Sequence, residues 1–139
     1  MITNPTFQPR EKTVSQANKE IASNFYRMAL FEGRIDEAFE LYAGPYYRQH
    51  NPLIADGKEG VKNFVAWILK NHPDAHGEIV RSFAEGDYVI LHCKWFGLSG
   101  NPNGEAVVDI FRLENDKVVE HWDVIQPVPE NPANSNTMF

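Results

Sequence analysis

Val107-Val108-Asp109-Ile110-Phe111-Arg112-Leu113-Glu114-Asn115-Asp116-Lys117-Val118-Val119-Glu120-His121-Trp122-Asp123 decides the fold. Two strand-length runs rich in Val, Ile, Phe and Trp flank a polar turn, the pattern of a β-hairpin. In the first run Val107, Asp109, Phe111 and Leu113 alternate with Val108, Ile110 and Arg112. Both sets are mostly apolar, so one strand face is expected to meet helices and the other a partner surface. Asp109 sits among apolar neighbours, where an unpaired polar group is costly.

The turn decides which residues of the second run join Asp109. If Glu114-Asn115-Asp116 is a three-residue loop with Asp116 left-handed, Leu113 pairs with Lys117. Asp109 then faces His121, Val107 faces Asp123, and Asp109, His121 and Asp123 share one face. A two-residue turn would put Glu120 and Trp122 there instead. The order Leu-Glu-Asn-Asp-Lys favours the longer loop, a type I turn plus bulge with Asp where Gly is usual. Carboxylates beside an imidazole can form an acid–base set with shifted pKa values. The competing reading is an ion pair that only neutralises charge at a wet sheet end.

Outward from the hairpin, His76–Glu85, Tyr88–Leu98, Gly104–Glu114 and Lys117–Gln126 are each strand-length. Short turns join them, which predicts an antiparallel meander. Upstream the period changes to that of a helix. Val14, Ala17, Ile21, Phe25 and Met28 predict a first helix over about 15–32, stopped by Gly33. Ile35, Ala38, Phe39 and Tyr42 mark a short second helix, ended by Gly44-Pro45. Asp56 to Glu59 has the form of a capping box ahead of a third helix on Val61, Phe64, Val65, Ile68 and Leu69. His72 is read as its cap. Tyr46–Pro52, between the second and third helices, reads as a strand stub. Residues 1–13 read as an extended arm, and the Pro-rich stretch after Pro127 as a loose tail. Helices first and strands later give an α+β class. A length of 139 residues fits one domain over 1–139 with a core at about 14–127.

The net charge is −6, from 13 Lys and Arg against 19 Asp and Glu. That argues against a nucleic-acid partner, which needs clustered cations. No apolar run approaches the roughly 20 residues of a membrane span, and the first residues lack a signal-peptide core. A cytoplasmic location is expected. The single cysteine, Cys93, is read as a buried, inert thiol. His50, Asp109, His121 and Asp123 contain ligand types, but no HxH, HExxH or CxxC spacing supports a metal, and none is expected. There is no P-loop and no GxGxxG, and Gly97-Leu98-Ser99-Gly100 does not form a nucleophile elbow. Tyr47, Phe25, Phe64, Trp67, Trp95 and Phe111 are candidates to shape a pocket.

Several segments together carry a resemblance. They are Tyr47-Arg48-Gln49-His50-Asn51-Pro52, Asp56-Gly57 with Gly60, Glu85-Gly86-Asp87-Tyr88-Val89, Asp109-Ile110-Phe111-Arg112, and Lys117 to Asp123. Over about residues 14–127 the chain resembles the SnoaL-like branch of the NTF2-like superfamily, relatives of small polyketide cyclases. The resemblance implies an NTF2-like cone, with three N-terminal helices packed on a curved antiparallel sheet around a deep pocket. It implies a homodimer through the outer sheet face, where the longer-loop register puts Trp122. The polyketide cyclases close a ring by intramolecular aldol condensation without metal or organic cofactor. An aspartate on the late strands moves the proton, and pocket histidines bind or polarise the enolate. Carried over, Asp123 or Asp109 is the acid–base group and His50 the pocket histidine. Those cyclases carry a histidine near the Asp109 position.

Two functions follow. The first is enolate chemistry on an apolar carbonyl compound, as a cyclase, lyase or isomerase, with Asp109, Asp123, His50 and His121 as catalytic candidates. The second is a non-catalytic ligand-binding or dimeric interaction module on the same cone.

Overall fold

A computed structural model describes residues 12–139. The expected arm over 1–13 lies outside the described residues up to residue 11. Its last residue, Thr13, caps the first helix. In α1 (Val14–Tyr26) the Gln16 N–H donates to Thr13 Oγ1 at 3.2 Å, and the Thr13 N–H donates to Gln16 Oε1 at 2.9 Å. This reciprocal cap satisfies two N–H groups that a helix start leaves free. The helix continues as a π-helical turn over Arg27–Phe31, so the helix expected over about 15–32 changes its winding near the end. Gly33, with φ 67°, takes the left-handed conformation that ends it.

α2 (Ile35–Tyr42) and α3 (Gly57–Asn71) follow. Asp56 does hold the position ahead of α3, but the expected capping box does not form. Its Oδ1 instead accepts the Gln49 N–H at 2.8 Å. That bond ties the start of α3 to the strand below it.

The strands are β1 (Ala43–Gln49), β2 (His76–Glu85), β3 (Tyr88–Phe96), β4 (Glu105–Glu114) and β5 (Lys117–Pro127). Their order is β1-β5-β4-β3-β2. Strands β2 to β5 form the expected antiparallel meander. β1, the predicted strand stub, joins β5 in parallel, so the sheet is mixed rather than wholly antiparallel. Three helices on a curved five-stranded sheet make the expected α+β cone.

The β4–β5 turn corrects the sequence reading. Glu114 pairs with Lys117 and Leu113 with Val118, which leaves a two-residue turn. Asn115 (φ 48°) and Asp116 (φ 62°) are both left-handed, as in a type I′ hairpin. The pairing then slips, and Arg112 faces Glu120. The extra residue, Val119, is a β-bulge. Beyond it Phe111 faces His121 and Asp109 faces Asp123. The expected partners were two residues off along the strand, one from the shorter turn and one from the bulge, so the parity is kept. His121 and Asp123 therefore do share the inner face with Asp109.

That inner face packs on α1. Phe25 and Tyr26 are buried against Phe111, with ring centroids 5.9 and 6.1 Å away. The Trp95 Nε1–H donates to the Tyr26 hydroxyl at 2.8 Å, giving a buried indole its partner. Cys93 is fully buried, and burial pushes its thiol pKa well up. The tail, expected to be loose, is anchored at both ends. Val128 N–H donates to Gly104 O at 3.0 Å, and the Phe139 ring lies 5.2 Å from Lys94 Nζ. Among the described residues no helix is long and apolar enough to cross a membrane.

Gly60 marks the tightest approach in the helical layer. A Cβ there would stand 1.7 Å from the Ala55 carbonyl oxygen. Gly60→Ala is expected to cost about 1–3 kcal/mol, as overpacking does. Gly100→Ala, with nothing within 4 Å, should stay within about 0.5 kcal/mol of the parent. Urea denaturation of the two variants checks this.

Candidate active site

β1 alternates like any strand, so Tyr47, Gln49 and the following Asn51 point one way, while Tyr46, Arg48 and His50 point the other. Tyr47, Gln49 and Asn51 line a cavity of about 60 Å³ between the helices and the concave sheet. Asp109, His121 and Asp123 line it from β4 and β5. Phe25, Phe64, Trp95 and Phe111 supply its aromatic walls, as expected. Trp67 does not line it. It lies on the outer side of α3, 48% exposed, against His72.

Asp109 and His121 are buried. His121 Nε2 lies 2.8 Å from Asp109 Oδ1, and His121 Nδ1 lies 2.8 Å from Gln49 Oε1. The imidazole is sandwiched between Phe111 and Tyr47, with centroids at 4.8 and 6.5 Å. Asp123 is half-buried. Asn51 Nδ2 donates to both of its oxygens, at 2.9 and 2.8 Å. Burial raises the Asp123 pKa above its ordinary value, and the Asp109 charge adds to that, against the opposing pull of Asn51 and His121. Burial likewise raises the Tyr47 hydroxyl, helped by both aspartate charges. Tyr47 therefore stays protonated, and its hydroxyl closes no hydrogen bond with a described residue.

Below this cluster the Tyr26 hydroxyl and the Cys93 thiol flank Asp109. Asp109 Oδ2 is buried without a hydrogen-bond partner among the described residues. The donor atoms of Asp109, His121 and Asp123 all lie within 4.8 Å of one another, close enough to surround a cation. A cation held by His121 Nε2 would displace its hydrogen bond to Asp109, while Nδ1 would keep Gln49 as its partner.

His50 is not in the cavity. Strand parity turns it to the outer face, where its Nε2 lies 2.7 Å from Glu120 Oε2 and its ring stacks on Trp122 at 4.5 Å. Arg112 Nε donates to the other Glu120 oxygen at 2.7 Å. Burial works against the Glu120 charge, but His50 and Arg112 outweigh it and hold the carboxyl below its ordinary value. The expected pocket histidine is thus part of an outer-face ion network. Gln49 and Asn51 were not singled out from the sequence. The two-residue alternation from Tyr47 is the signal that finds them.

A cone of helices on a curved mixed sheet, with Asp109, His121 and Asp123 lining an aromatic cavity, is the NTF2-like fold. The chain belongs to the SnoaL-like polyketide cyclase family, whose sequence profile matches residues 20–130. Solved structures agree in fold. A proposed polyketide cyclase from Acidithiobacillus ferrooxidans is 24% identical, with TM-score 0.63, over 82% of this chain and 91% of that one. TsrD from Streptomyces laurentii is 20% identical, with TM-score 0.67, over 81% and 91%. A proposed polyketide cyclase from Bacillus cereus is 21% identical, with TM-score 0.69, over 79% and 74%. No curated protein matches the sequence.

The raised Asp123 pKa has a sign that can be measured. The folded chain holds that proton to higher pH than the unfolded chain does. Its stabilising contribution is full below the ordinary carboxylate value of about 4 and is lost as pH rises through the folded pKa. The stability of the wild type relative to Asp123→Asn should therefore fall as pH rises from about 3 to 7. Denaturant midpoints at a series of pH values test this; a widening advantage of the wild type would contradict it.

Proposed function

We propose that the protein catalyses enolate chemistry on a neutral, apolar carbonyl compound held in the aromatic cavity. The observation that carries this reading is the convergence of Asp109, His121 and Asp123 within 4.8 Å at the cavity floor. A base for carbon acids works best with a pKa near the working pH, and the environment of Asp123 moves it in that direction. Asp123 keeps lone pairs beyond the two bonds from Asn51. It takes the proton from the carbon next to the carbonyl. The free Tyr47 hydroxyl donates to the carbonyl oxygen as negative charge develops there. The enolate carbon then forms or breaks a C–C bond, as in an aldol cyclase or lyase, or is reprotonated elsewhere, as in an isomerase. No lysine or arginine lines the cavity among the described residues. Two carboxylates and no such cation disfavour an anionic substrate.

The test is exchange of α-protons for deuterium, followed by NMR on a panel of enolisable ketones and esters. Asp123→Asn should lower exchange by about 10²–10⁴ and Tyr47→Phe by about 10²–10³. His50→Ala should change it by no more than a few-fold. If ligands bind but no compound exchanges, the domain is a binding module.

The outer sheet face supports a homodimer. Ile90, Val108 and Val124 stand exposed in adjacent rows of β3, β4 and β5. Contiguous apolar surface of this kind marks an interaction site. The wild type is expected to elute as a dimer with light-scattering detection, and Val108→Glu with Val124→Glu as a monomer. A monomeric wild type would end the proposal.

A further inference from the structure

We propose that Gln49 is a positioning residue that fixes which nitrogen of His121 exchanges a proton with Asp109. The argument rests on one oxygen. Gln49 Oε1 is 2.9 Å from the backbone N–H of Asn51 and 2.8 Å from His121 Nδ1. A backbone N–H can only donate. The atom of Gln49 that faces it must therefore be the carbonyl oxygen, which settles the amide orientation from the network itself. That oxygen has only lone pairs to offer to His121, so Nδ1 must carry a proton.

The consequence falls on the other nitrogen. Nε2 stands 2.8 Å from Asp109 Oδ1 in a buried site. A single proton lies between them, either on the imidazole or on the carboxyl. The pair is imidazolium with carboxylate or imidazole with carboxylic acid, and its net charge is zero in both forms. Gln49 thus confines the movable proton of the dyad to the Nε2–Oδ1 line. The dyad can shift that proton between His121 and Asp109 beside Asp123 without placing a second net negative charge in the pocket. Gln49 is held at both its backbone and its side chain. Its own N–H is tied to Asp56, and its side chain to the N–H of Asn51.

The role in catalysis rests on the enolate reading; the tautomer does not, so the two can fail separately. The experiment is ¹⁵N NMR of the histidine rings over a pH series, with His121 assigned by its loss in His121→Asn or, failing that, by its slowly exchanging ring N–H. In the wild type, Nδ1 of His121 is expected to be protonated at every pH where the fold persists, whatever the state of Nε2. Gln49→Glu keeps an acceptor in place and should leave this unchanged. Gln49→Leu removes the acceptor and should move the proton of neutral His121 to Nε2. A bare Nδ1 in the wild type overturns the proposal outright. So does a Gln49→Leu spectrum identical to the wild type. If Gln49→Leu does not fold, the wild-type and Gln49→Glu spectra decide alone.

Discussion

Two carboxylates stand directly opposite one another on β4 and β5, and the surrounding structure makes that arrangement tolerable. Asp109 and Asp123 are cross-strand partners. Like charges in that position repel and disfavour pairing. Burial would add a desolvation penalty to each. The fold divides the problem. Asp109 receives an imidazole, so its charge is balanced in place. Asp123 receives only an amide and the wetter end of the cavity. Two chemically identical side chains thereby acquire different environments, which is how an acid–base pair is separated into roles.

The same constraint explains β1. A sheet of β2 to β5 alone would leave His121 Nδ1 and the Asp123 oxygens facing open space. The parallel edge strand brings Gln49 and Asn51 to those atoms. Its register holds because Gln49 pairs with His121 in the ladder and because Asp56 accepts the Gln49 N–H from above. Helix start, edge strand and buried dyad are linked in one chain of hydrogen bonds.

Much of this was legible in the sequence, and the failures have physical causes. The helices and the meander follow from hydrophobic period, and the inner-face cluster follows from alternation on β4. The turn was misjudged because Asn-Asp tolerates both one and two left-handed residues. A local loop preference could not reveal a bulge three residues further on. That two departures cancelled in parity reflects the cost of burying Glu120 and Trp122 in place of His121 and Asp123. His50 was assigned to the cavity together with Tyr47, although residues 47 and 50 of one strand point to opposite faces. Strict use of the two-residue period would have replaced His50 with Gln49 and Asn51. Trp67 followed the general tendency of large aromatics to be buried, which one face of a helix does not share with another.

The Val119 bulge gives chain length an authority that residue identity lacks. Every residue of β5 beyond it owes its side of the sheet to that single extra position. Were Val119 to pair with Arg112 instead of bulging, every later residue would turn over and Glu120 and Trp122 would enter the cavity; deleting it would leave a regular ladder in which His121 still faces Phe111 and Asp123 still faces Asp109. Among relatives, a one-residue gap at this point would therefore mark the loss of the bulge with the pocket groups kept, whereas a gap between His121 and Asp123 would turn Asp123 to the outer face. Evolution can vary many side chains around this pocket singly. It can alter the count between turn and histidine by one where the bulge absorbs the change, and otherwise only in steps of two or together with a new turn.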